Sequence, residues 1–214
     1  MSILNKIAFH QNRRDEVPNQ DVARELAQSR NQADIREIAE ALWDKNPNIQ
    51  SDCLKVLYEL GYLAPELIAG YTDDFLSLLE HPNNRMVWGG MIALSTVADL
   101  KADEIFPHID EIVHIMESGT VITMDNGIKV LALVASQNDE YRRTIFPILL
   151  DHLKTCRPKE VPQHAEKSLP AVTADNKSDF IQVLEKRLED MSTSRATRLK
   201  KIIKTAEKRG WEAI

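Results

Sequence analysis

Apolar residues fall at helical spacing along most of this chain. Ile35, Ile38, Ala39 and Leu42 stand at i, i+3, i+4 and i+7, the single stripe of an amphipathic helix. The stripe then returns at a fixed interval. Residues 36–43, 73–80 and 110–117 align with one another at a step of 37. A second ladder keeps the same step: Cys53-Leu54-Lys55-Val56-Leu57, Gly90-Met91-Ile92-Ala93-Leu94 and Gly127-Ile128-Lys129-Val130-Leu131. Two apolar helical patterns per period predict a stack of helix pairs, each relying on its neighbours to bury its faces.

The pattern predicts a lead-in and capping helix over residues 1–31, a repeat region over 32–210 and a tail over 211–214. The first pair is expected at about 32–46 and 47–61, with Asn46-Pro47-Asn48 as the turn between its helices. Gly61 reads as a left-handed C-cap. Further pairs are expected at about 65–80 and 83–99, and at 103–117 and 123–137. A fourth begins near 139, where the period stretches: Ile105-Phe106-Pro107 recurs 40 residues later as Ile145-Phe146-Pro147. Its second helix, about 161–173, carries Pro162, tolerated in a first turn, and Pro170, which should kink or shorten it. A fifth pair is expected at about 177–190 and 193–209.

In the first three pairs the second helix is apolar around most of its circumference. Val87, Trp88, Met91, Ile92, Leu94 and Val97 leave little polar face, which predicts an inner layer covered on more than one side. Cys53, Gly90 and Gly127 then permit close helix approach, and Trp43 and Trp88 read as core residues.

Helix pairs at 37 to 40 residues, with a small-residue position and the steps Val56-Leu57, Ala93-Leu94 and Val130-Leu131 in the second helix, resemble HEAT-type repeats of the armadillo-like class. The resemblance covers residues 32–174 well and 177–209 loosely. It departs from the family at one place: HEAT repeats often carry a basic residue early in the second helix, where this chain has Gln50, Val87 and Met124. The resemblance implies an all-α fold, a right-handed α-α superhelix of about five HEAT-like helix pairs.

Composition narrows the function classes. Hydrophobic residues make up 43% and charged residues 28%, with 7 Gly and 9 Pro, the balance of a folded chain rather than a linker. A net charge of −6 disfavours broad attraction to nucleic acid or anionic membrane. No apolar run approaches the ~20 residues of a membrane span, and the stretch from Ile3 to Phe9 is too short for a signal-peptide core. Cys53 and Cys156, without C-x-x-C spacing, fit a reducing cytoplasmic setting.

Candidate chemistry is sparse. Glu111-x-x-His114 puts a carboxylate and an imidazole on one helix face, but carboxylate-bridged dimetal sites need that motif twice and it occurs once. His108, His152 and His164 are too irregularly spaced to add ligands, and neither thiol has a His/Asn partner pattern. No metal and no cofactor are expected. Gly89-Gly90 lacks the spacing and Lys of a phosphate loop, and there is no G-x-S-x-G elbow, so no enzyme is expected.

Two charged features remain. Asp73-Asp74 and Asp110-Glu111 recur at equivalent positions and could form an acidic ridge for a basic partner, although carboxylates early in a helix also complement its dipole. Residues 193–209 carry a net charge of +6, leaving −12 for the remainder. There Arg195, Arg198, Lys200, Lys201 and Lys204 stand against the apolar stripe Leu199, Ile202, Ile203 and Ala206. This is the pattern of a terminal cap with a basic face open to an anionic contact.

The expected function is a non-catalytic scaffold whose groove binds a protein or peptide. The resemblance admits an alternative, a HEAT-like DNA-binding protein related to the alkylpurine DNA glycosylases, invited by Trp88. Such proteins need a basic concave face, and Arg85, Lys129 and Lys167 are sparse for it, so nucleic acid is not the expected partner. Nothing in the pattern assigns an oligomeric state.

Overall fold

The computed structural model describes residues 2–209, which are helical and connecting segments with no strand among them. The tail expected at 211–214, with Trp211, lies outside the described residues. Contacts divide the chain into two compact units between Gly127 and Ile128.

In the first unit, α1 (Val17–Ser29) packs on α3 (Pro47–Leu63), and α3 packs on α5 (Asn84–Val97). α2 (Gln32–Glu40) packs on α3 and α4 (Thr72–Ser77) on α5, and the short α6 (Ala102–Ile105) and α7 (Ile109–Ser118) follow. The helix α8 (Val121–Ala135) begins in this unit. The first helices of successive pairs end alike, α2 tightening into a 3-10 turn at Ala41–Trp43 and α4 at Leu78–Glu80, positions 37 residues apart. Their buried anchors keep the same register: Ile38, Phe75 and Ile112 are each fully buried.

A third ladder marks the start of each second helix. The Asn46 side chain accepts from the Asn48 amide at 3.0 Å and Asn83 from Arg85 at 3.0 Å. Thr120, a further 37 residues on, accepts from the Thr123 amide at 3.3 Å. Each cap satisfies a donor that helix geometry leaves open, worth about 1 kcal/mol.

The small-residue ladder sits at close helix approaches. A Cβ built on Gly90 would lie 2.9 Å from Leu78 Cβ, and one on Gly127 would lie 2.7 Å from Met116 Cγ. Cys53, in the same register, is fully buried.

Two expectations require correction here. Gly61 does not cap a helix: α3 continues to Leu63, and a Cβ on Gly61 would meet Thr96 Oγ1 at 2.2 Å. It is a close-approach glycine, which is why the helix runs through it. Trp43 is not a core residue, for its side chain is exposed and lies in register with the exposed Glu80 and Glu117. It stands one residue past the buried stripe that ends at Leu42. Trp88 is half-buried.

The second unit contains the end of α8, then α9 (Asp139–Thr155), α10 (Val161–Ser168), α11 (Lys177–Arg187) and α12 (Thr193–Glu207). α9 and α10 pack together, α11 packs on α9, and α12 lies on α10 and α11. Pro162 occupies the first turn of α10, and the α-helix stops at Ser168, giving way to a 3-10 turn that contains Pro170. The missing amide of Pro170 accounts for that stop. Pro147 lies inside α9 and faces solvent, where the helix continues past it. Leu199, Ile202, Ile203 and Ala206 form the buried stripe of α12.

Candidate functional site

The recurring carboxylates separate into different environments. Asp73 on α4 and Glu111 on α7 line one groove of about 300 Å³ together with Leu76, Ser77, Glu80 and His108. Three acidic residues from two successive repeats therefore line one groove with the buried Leu76. The groove follows from the register: Asp73, Leu76, Ser77 and Glu80 lie at i, i+3, i+4 and i+7, one face of a helical stretch. His108 Nδ1 lies 3.3 Å from Glu111 Oε2, one turn along.

The other two predicted acids are elsewhere. Asp74 accepts a hydrogen bond from the indole Nε1–H of Trp43 at 3.0 Å. Asp110 is exposed and does not line the groove. Nor does the single E-x-x-H motif act as a unit, since His114 is exposed while Glu111 meets His108. Glu80 and His108 are groove residues that sequence reasoning missed. Glu80 was legible in principle, standing seven residues after Asp73.

In the second unit the basic residues of α12 also divide. Lys201 and Lys204, with Lys208 and Arg209, line an open cleft of about 830 Å³ against Val172, Thr173 and Ala174. Arg198 is paired with Glu166, whereas Arg195 and Lys200 are exposed. Lys177 Nζ donates to the carbonyl of Arg209 at 3.0 Å and of Glu207 at 3.3 Å, meeting the negative end of α12.

The second unit also brings together three residues that the sequence reading had set aside. His152 and Cys156, four residues apart at the end of α9, face His164 on α10. His152 Nε2 and His164 Nδ1 are 2.8 Å apart, and one ligand atom from each of the three residues lies within 4.8 Å of the others. His164 is 1% exposed. Burial, with His164 beside it, pushes His152 down to about 4, so its ring is neutral at physiological pH. Burial raises the Cys156 thiol above its ordinary value, partly offset by Arg187. The Arg187 guanidinium, itself buried, donates to the carbonyls of Cys156 at 2.7 Å and of Leu153. The Glu160 carboxylate, paired with Arg157, is close enough to act electrostatically on all three. The missed signal was the pair His152-x-x-x-Cys156, one turn apart on one face.

Among the described residues no helix is long and apolar enough to cross a membrane. No family model matches the chain, and no curated protein matches it in sequence. Solved structures do match in shape. One engineered protein has a TM-score of 0.64 at 17% identity, covering 99% of each chain. A second has a TM-score of 0.63 at 18% identity, over 97% of this chain and 99% of its own. A designed armadillo repeat protein in complex with the peptide (KR)4 has a TM-score of 0.61 at 13% identity, over 94% of this chain and 98% of its own. The fold is therefore that of an all-helical repeat protein of the HEAT and armadillo-like class.

Proposed function

We infer that this chain is a non-catalytic repeat scaffold that binds a basic segment of another protein. The observation that carries this reading is the groove lined by Asp73, Glu80 and Glu111 together with Leu76. A Lys or Arg side chain entering it would lay its methylenes on Leu76 and its charge among the carboxylates. The groove takes Asp73 and Glu80 from one repeat and Glu111 from the next, which suits an extended peptide that meets successive repeats. A designed armadillo repeat protein of similar fold holds the basic peptide (KR)4, which supports the same mode of recognition here. The acidic lining argues against duplex DNA as the occupant, since phosphates would be repelled.

Fluorescence anisotropy with a labelled alternating Lys/Arg octapeptide tests the reading. Binding should weaken at least about tenfold when Asp73 and Glu111 are both changed to Lys, and should fall as salt rises. Equal affinity in that double variant would overturn it. So would tight, salt-sensitive binding of duplex DNA in place of the peptide.

A further inference from the structure

We propose that His152, Cys156 and His164 form a zinc-binding site in the second unit. Two imidazoles and a thiol converge there from two helices, with one ligand atom from each within 4.8 Å of the others. This is a borderline-soft donor set, of the kind that selects Zn²⁺ over hard cations such as Mg²⁺ or Ca²⁺. Tetrahedral zinc at ordinary bond lengths holds paired nitrogens about 3.3 Å apart, and nitrogen and sulfur about 3.6 Å apart. The two rings, at 2.8 Å, need to part by roughly half an ångström, and the thiol, within 4.8 Å, needs to close on them.

The surroundings suit the ion. On binding, the ring that donates in the His152–His164 hydrogen bond shifts its proton to its other nitrogen. The Cys156 thiol loses its proton to solvent, and the thiolate forms the bond to zinc. Arg187 holds the Cys156 carbonyl and lies beside the thiol, fixing the end of α9 as an outer-shell partner does. Three protein ligands leave a fourth position for water. The ion would tie α9 to α10 at the place where the repeat period stretches, and would reach α11 through Arg187.

Cobalt substitution on the chelator-treated full chain tests this. Co²⁺ should produce a thiolate-to-metal charge-transfer band that saturates at one equivalent and is bleached by Zn²⁺. Cys156→Ser should abolish the band, and His152→Gln should weaken cobalt binding by more than about 100-fold. Cys53→Ser and His114→Ala should leave it intact. Absence of the band in the wild-type chain would overturn the site, as would its persistence in Cys156→Ser. A measurement that needs no variant is alkylation: one equivalent of Zn²⁺ should slow modification of Cys156 at least about tenfold, and an unchanged rate would overturn the proposal.

Discussion

Asn19 and Asp52 are hydrogen-bonded across 33 residues of sequence, Nδ2 donating to Oδ1 at 2.9 Å. Asn19 is 1% exposed, and its Oδ1 accepts from the Ala8 amide at 2.9 Å, while Asp52 Oδ2 accepts from the Phe9 amide at 2.7 Å. The pair fastens the lead-in segment to α1 and α3 by filling four hydrogen-bonding positions at once. Asn19→Ala leaves a buried amide without its acceptor and should cost about 1–3 kcal/mol. Hydrogen exchange at Ala8 and Phe9, together with thermal unfolding, measures it. Unchanged protection of both amides would contradict the network.

Gly90→Leu should destabilise the first unit by roughly 1–3 kcal/mol, through a Cβ forced to within 2.9 Å of Leu78 Cβ and 3.1 Å of the Phe75 carbonyl. Gly70→Ala is the control, because a Cβ there meets nothing within 4 Å. A thermal shift assay that ranks the two variants equally would remove Gly90 from the close-packing ladder.

Lys55 is buried on α3, with Nζ 2.7 Å from Glu59 and 2.9 Å from Glu16, and lies over the Tyr58 ring. Burial disfavours its charge, but the hydrogen bonds to Glu59 and Glu16 outweigh burial and hold its pKa above the ordinary lysine value. A base whose folded pKa is raised contributes its full stabilisation below the unfolded pKa, about 10.4, and loses it as pH climbs toward the folded value. Stability should therefore fall above about pH 10.4, and less steeply in Lys55→Met. Denaturation midpoints across that window, wild type against variant, decide the matter.

Arg187→Met should cost about 1.5–3 kcal/mol, the range for hydrogen bonds made by a charged group, because the carbonyls of Leu153 and Cys156 lose their donor. Arg187→Lys should recover only part of that, since one ammonium cannot reproduce the fork that spans two carbonyls. Thermal unfolding monitored by circular dichroism gives the order wild type, Lys, Met. Equal midpoints for Lys and wild type would mean that charge alone matters.

Apolar periodicity located the second helices at Pro47–Leu63 and Asn84–Val97, because it reports faces within one element. It missed the breaks in the first helices: the stretch expected as one helix at 65–80 is mostly 3-10 turns around α4, and that at 103–117 is interrupted at Phe106–His108. Cys53, Gly90 and Gly127 could be read from their shared register, and Pro170 from its own covalent geometry. What escaped depends on relations between elements. Gly61 looked like a helix end because glycine favours one, whereas its neighbour Thr96 lies 35 residues away and gives no local sign. Trp43 falls in an apolar helical pattern that reads as core, but one step of rotation past Leu42 places it outside. His164 reaches His152 only because the turn between α9 and α10 folds the chain back, and the spacing of histidines along the chain does not encode that turn.

The caps at Asn46, Asn83 and Thr120 have a further consequence. A segment cut from one cap to the next carries a whole inner helix, its close-packing residue and the outer helix that follows. Its two ends present the same chemistry, so a copy could be inserted or removed in phase without placing a polar face where an apolar one belongs. Beyond Thr120 that interchangeability ends: the 40-residue step carries Pro147 through the middle of α9, and units on either side of it are not spare parts for one another.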